Sequence, residues 1–100
     1  MILVYTTHKN QAAAEKVAIY LLKKRLVACV NFFPVSAAYL WRGQIKNEKE
    51  TAALFKTKKE NWRKVKKEIE KIHPDEAPCV IKLTAEANKL FESWIKKEIK

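Results

Sequence analysis

The only glycine in the chain, Gly43, stands in the middle of residues 26–58, LVACVNFFPVSAAYLWRGQIKNEKETAALFKTK. A two-residue loop between antiparallel strands needs backbone with φ above zero, which glycine adopts without steric cost. The residues on either side are rich in aromatic and β-branched types and alternate in polarity, as strands do. A reversal at Arg42-Gly43 therefore predicts a hairpin that pairs Trp41 with Gln44, Leu40 with Ile45, Tyr39 with Lys46 and Asn31 with Leu54. Each arm then runs about 15 residues, far beyond the usual 5–6. At roughly 3.3 Å per residue the ribbon is about 50 Å long, more than a domain with a radius of gyration near 13 Å can cover, so its tip protrudes.

The flanking segments supply packing for this ribbon. Residues 2–7, ILVYTT, form a short continuous apolar run that suits a central strand buried on both faces. Asn10 is a credible N-cap, and Ala14, Val17, Ala18, Leu21 and Leu22 then follow helical spacing, with Lys23, Lys24 and Arg25 at the end the helix dipole favours for cations. Pro34 cannot donate to a ladder, which makes the first ribbon arm an edge strand or places a bulge there. It divides that arm into a base, residues 26–33, and a tip, residues 35–41. From about Glu60 or Asn61 a second helix carries Trp62, Val65, Ile69 and Ile72 on one stripe and ends at His73-Pro74, because the residue before proline avoids the α region. Residues 78–84 read as a last strand, and Leu90, Phe91, Trp94, Ile95 and Ile99 as a C-terminal helix. The order βαββαβ plus a final helix, with right-handed crossovers, predicts an α+β, ferredoxin-like sandwich with sheet order 4-1-3-2 and both main helices on one face. The other sheet face is bare unless the last helix or another subunit covers it.

One hundred residues with 48% apolar content make one domain, residues 1–100, with a modest core. No basic leader and no run of about 18 apolar residues occurs, which predicts a cytoplasmic chain without membrane association. Cys29 and Cys79 form no CxxC and fall on opposite sheet edges in this topology, so they read as reduced, buried thiols. The net charge is +10, and residues 56–71 hold eight Lys or Arg against three Glu. These charges fall opposite an apolar stripe, with Glu60 and Lys64 spaced for an i, i+4 pair, so they read as a solvated helix face rather than a nucleic-acid site. An RNA-recognition domain shares the element order but needs an aromatic pattern on its third strand that KETAALFKT lacks. THKNQ has no glycine-rich anion cradle, and no Walker motif or Ser/His/Asp order is present, so nothing supports an enzyme.

Tyr39, Leu40, Trp41 and Ile45 at the tip have nothing in so small a chain to pack against. Burying each is worth about 1.5–3 kcal/mol, which predicts a closed homo-oligomer with these four residues in its interface.

Taken together, LVACVNFFP, then YLWRGQI with Glu50, then FKT, HPDEAP and a terminal WI closely resemble the CutA divalent cation tolerance family over nearly the whole chain. The recurrent positions matched include Cys29, Asn31, Ser36, Tyr39, Trp41, Gly43, Glu50, Lys56, Thr57, His73, Pro74, Glu76 and Pro78. The resemblance implies a ferredoxin-like fold, an intertwined homotrimer and a role in tolerance of copper and other divalent cations, with no secure catalytic activity. Asp75 stands where the family usually has Tyr and Ala77 where it has Val. Tyr5 and Ile72 replace a Cys and a second His of some bacterial members, so a metal site built on those groups is incomplete here.

His73-Pro74-Asp75-Glu76 is the densest group of potential ligands. Imidazole and carboxylate suit Cu2+, and His73, Glu76 and Cys29 form the candidate metal set, with Glu50 as an alternative third group. The bland reading has His73 capping the second helix and Glu76 hydrogen-bonded in the loop. His8 reads as a solvated loop residue. Lys56 and Glu50 are candidates for a crevice between subunits, holding an anion or pairing with each other.

Overall fold

The computed structural model describes all 100 residues. Strand β1 (Ile2–His8) leads through Asn10, whose Oδ1 accepts the Ala13 amide at 2.8 Å, into helix α1 (Gln11–Lys23). The two long arms are β2 (Cys29–Trp41) and β3 (Gln44–Thr57). A 3-10 turn (Lys59–Asn61) opens α2 (Trp62–Ile72), and β4 (Val80–Thr84) and α3 (Lys89–Glu98) complete the chain. The sheet order is β2-β3-β1-β4, the expected order counted from the other edge, and every neighbouring pair is antiparallel.

The ribbon ladder runs without a break from Cys29 opposite Lys56 to Trp41 opposite Gln44, with Asn31 opposite Leu54. Arg42 (φ 51°) and Gly43 (φ 80°) both lie in the left-handed region, which gives the turn the backbone twist that hairpin strands require. Pro34 sits opposite Thr51 with no bulge, because β2 is a sheet edge and its missing N–H faces outward. The last residue of β3 with a partner in β1 is Thr51, opposite His8. Beyond it the ribbon is two strands wide, and the molecule measures 45 × 25 × 22 Å.

Helices α1 and α2 cover one face. Val4, Val17, Leu21, Phe55, Val65 and Ile69 form the centre of the core beneath them. At the base of this layer the buried Leu26 carbonyl accepts from Thr57 Oγ1 (2.7 Å) and Asn61 Nδ2 (3.1 Å), tying the end of α1 to the end of β3 and the start of α2. The continuous apolar run of β1 is central, as expected, but only its even residues are fully buried. Leu3 and Tyr5 face the other side of the sheet with Phe33, Leu54, Ile81 and Leu83. Helices α1 and α2 lie on the opposite face, α3 meets this one at Lys56 through Phe91, and Phe33, Ile81 and Leu83 are exposed.

Helix α1 ends in a closure normally made by glycine. Leu26 N–H donates to Leu21 O (3.1 Å) and Arg25 N–H to Leu22 O (2.9 Å), while Arg25 adopts φ 55°. A side chain at such a position strains the backbone. Arg25→Gly is therefore expected to raise stability by about 0.5–1 kcal/mol, read as a higher Tm in thermal denaturation. A lower Tm would contradict this account of the turn.

Candidate functional site

The groups with chemistry gather where the ribbon leaves the sheet. Helix α2 stops at His73, whose extended backbone (φ −72°, ψ 130°) is the one its neighbour Pro74 permits. The His73 ring turns back to β1: Nε2–H donates to the Thr7 carbonyl (2.8 Å), and Nδ1 accepts the Asp75 amide (3.1 Å). These partners assign the proton to Nε2 and occupy both ring nitrogens. The Asp75 carboxylate lies 3.9 Å from Nδ1.

His8 stacks on this ring with centroids 4.9 Å apart, and its Nε2 lies 2.6 Å from Thr6 Oγ1. It is 1% exposed, which corrects the expectation of a solvated loop residue. The residue closes β1 rather than opening the loop, and even positions of that strand point into the core. Burial, then the neighbouring His73, lowers its pKa to about 4.

A cleft of about 750 Å³ opens between residues 75–79 and the inner face of the ribbon, walled by Tyr39, Trp41, Glu48, Glu50, Asp75 and Cys79. Burial pushes the Glu50 carboxyl above the usual carboxylate range, and the charges of Glu48 and Asp75 add to this against the opposing effect of His73. Hydrogen bonding to Glu48 raises the Tyr39 phenol. Burial likewise raises the Cys79 thiol, with a hydrogen bond to Thr7 working the other way. Across the mouth, the Arg42 guanidinium packs 5.5 Å over the Trp41 ring and meets Glu76 Oε2 at 3.3 Å, strapping the ribbon turn to the loop. Both partners are exposed, so the strap itself contributes little stability.

Of the expected metal set, His73 and Glu76 share this loop, but Glu76 is engaged by Arg42 and Cys29 is remote. Cys29 pairs with Lys56, five residues along β3 from Thr51 and thus roughly 16 Å from the sheet end where His73 docks. No group of three or more His, Cys, Asp or Glu side chains within the chain has a metal-holding arrangement. Glu50 and Lys56 lie six residues apart on one strand, roughly 20 Å, so they form no pair within a subunit. Lys56 Nζ instead sits 5.3 Å over the Phe91 ring of α3. At the tip, Leu40 and Ile45 are cross-strand partners, each 73% exposed, and Tyr39 is exposed beside them. Sequence reasoning placed Asp75 in the ligand-rich 73–76 group but missed Cys79 and Glu48 as cleft residues. The i, i+2 spacing of Glu48 and Glu50 already put them on one strand face. The approach of the 75–79 loop is a tertiary fact with no local signal.

The buried histidine gives a pH signature. Its folded pKa of about 4 lies below the unfolded 6.5, so the unfolded chain binds more protons in that interval. The His8 contribution to stability is complete above pH 6.5 and declines as pH falls towards 4. Chemical denaturation across this range should show stability rising with pH, and His8→Phe, which keeps the ring stack without a titrating group, should flatten the rise. An unchanged pH profile in the variant would contradict the assignment.

Comparisons with known proteins converge on one group. The family model described as CutA1 divalent ion tolerance protein matches residues 2–98. The divalent-cation tolerance protein CutA of Thermotoga maritima is 41% identical over 99% of this chain and 99% of its own. The crystal structure of CutA1 from Pyrococcus horikoshii superposes with TM-score 0.95 at 38% identity, covering 100% of this chain and 99% of that one. The PII-like protein CutA from Nostoc sp. PCC 7120, in its apo form, superposes with TM-score 0.93 at 25% identity, covering 100% and 98%.

Proposed function

This chain belongs to the CutA1 divalent ion tolerance family, and from that premise we propose that it works as a homotrimer that binds Cu2+ or another divalent cation in the ribbon cleft. The observation that carries this reading is the concentration of Glu48, Glu50, Asp75, Glu76 and Cys79 in one cleft beside the loop that begins at His73, at the end of the molecule where an apolar ribbon tip calls for a neighbouring subunit. Imidazole with carboxylates suits Cu2+, which heads the affinity order for such donors. His73 Nδ1 is the ligand atom most easily released: its present donor is an amide of the exposed 73–79 loop, and Asp75 and Glu50 stand on that side. One chain does not complete a ligand set. A neighbouring subunit supplies the missing group, and Cys29 reaches the cleft only in that way. The two half-buried free thiols suit a reducing compartment, and we place the protein in the cytoplasm as a binding protein rather than an enzyme.

A second reading is a trimeric sensor of a small organic ligand, with metal binding incidental. It is favoured by the cleft volume of about 750 Å³, within the range of small-molecule sites, and by the aromatic wall of Tyr39 and Trp41. Resemblance to the Nostoc PII-like protein supports the same view.

Isothermal titration with Cu2+ separates the two. The first reading expects saturable binding that His73→Ala weakens by about tenfold or more, and that Cys29→Ala weakens only if a neighbour's thiol enters the site. Cu2+ binding unchanged in both variants removes the proposed ligands, and absence of binding in the native protein leaves the sensor reading.

A further inference from the structure

The opposite end of the molecule gathers three sequence-distant basic segments. The Lys100 amide donates to the Arg25 carbonyl (3.0 Å), binding the end of α3 to the end of α1, and Asn61 Nδ2 reaches the Leu26 carbonyl (3.1 Å), binding both to the start of α2. Lys23 and Arg25 thus lie beside Lys58 and Lys59, with Lys96 and Lys100 from α3. Lys58, Lys59 and Lys96 line a common depression of about 250 Å³. The chain has three ion pairs, at Met1–Glu92, Lys24–Glu68 and Arg42–Glu76, so these six cations, like every Lys and Arg other than Lys24 and Arg42, have no salt-bridge partner.

The acidic residues nearby, among them Glu60 and Glu92 in the same depression, neutralise them only in part. Glu92 is held by the Met1 amine at 3.8 Å and by the Ala87 amide at 3.2 Å, and Glu68 by Tyr20 and Lys24. Glu60 and Glu98 remain. The i, i+4 pairing of Glu60 with Lys64 that the sequence offered is not made, so the basic stretch is not the self-neutralised face its spacing suggested. At the ribbon end, by contrast, Glu48, Glu50, Asp75 and Glu76 share the cleft with Lys9 and Lys46, and Arg42 pairs with Glu76. Six cations against Glu60 and Glu98 leave the pole a net +4 of the chain's +10, a local cluster on a surface that is basic elsewhere too.

We propose that this basic pole is a docking surface for the phosphodiester backbone of a nucleic acid. Uncompensated like charges held close together repel one another, and a polyanion relieves that repulsion while its condensed counterions are released. The six cations sit on segment ends tied together by the Lys100–Arg25 and Asn61–Leu26 hydrogen bonds, so docking orders only side chains. The apolar residues beneath them, Leu26, Val27, Ile95 and Ile99, are all buried. A duplex carries about one phosphate charge per 1.7 Å of its axis with a condensed counterion layer to release, which favours a phosphate backbone over a lipid surface even though Leu22 and Trp94 are exposed on the same helices. Contacts are to phosphates only, so binding is independent of base sequence.

The test is fluorescence anisotropy of the full chain with a labelled duplex of about 30 base pairs over a salt series, where six contacts predict a slope of about −5 in log affinity against log salt. Lys59→Glu/Lys96→Glu should weaken binding at least about tenfold and shrink the slope by about 2, whereas Lys16→Glu/Lys49→Glu, with the same change in net charge away from the pole, should stay within about threefold of native. Circular dichroism and Tm confirm that each variant folds, and Lys23→Glu/Lys100→Glu repeats the test if the first pole variant does not. Absence of binding at about 50 mM salt overturns the proposal, as does equal weakening by pole and control variants. Tighter capture by phosphatidylserine vesicles than by the duplex overturns it too, in favour of a membrane partner.

Discussion

The ladder between β2 and β3 governs the molecule, and its register is held by a turn that accepts one residue pair only at two left-handed positions. Arg42 and Gly43 set Trp41 against Gln44, and every pair back to Cys29 and Lys56 follows. A slip of one residue would turn Phe55 and Ala53 out of the core and Leu54 into it. The same register puts Glu48 and Glu50 on the ribbon face that carries Tyr39 and Trp41, and so makes the cleft.

Ladder length then creates a problem the chain cannot solve alone. The first strand pairs with β3 only from Thr51 onwards, so the outer ribbon has neither a third strand nor a helix. The bare face of the sheet carries Phe33, Ile81 and Leu83, and the tip carries Leu40 and Ile45. At about 1.5–3 kcal/mol for each large apolar side chain buried, the exposed set forgoes a sum comparable to the whole stability of a small domain. Copies of the chain are the economical cover. Charge also differs between the ends: the ribbon end holds mixed charges and titrating groups, while cations from three segments meet at the basal end.

Much of this was legible in the residues because local rules and tertiary packing agree. One glycine marked the turn, Asn10 the start of α1, Pro34 an edge strand and His73-Pro74 the end of α2. The sheet order followed from chirality. Where local and tertiary demands part, the sequence was mute. Arg25 occupies a position that favours glycine, because the buried Leu26 carbonyl and the core beneath fix the turn whatever residue makes it. His8 reads as polar loop until the strand's parity is known, and parity carries it inward against His73. Cys29 and Cys79 are indistinguishable by spacing, yet only Cys79 lines the cleft, since β4 starts at Val80 opposite Thr6 and leaves Cys79 beside Thr7, while Cys29 sits at the far end of β2.

The proposed contact surfaces between copies are the bare sheet face and the ribbon tip. Sedimentation equilibrium at micromolar concentration tests this assignment most directly. It should give a single species of about 35 kDa, three times the 11.7 kDa of one chain. A compact monomer of 11.7 kDa would contradict it.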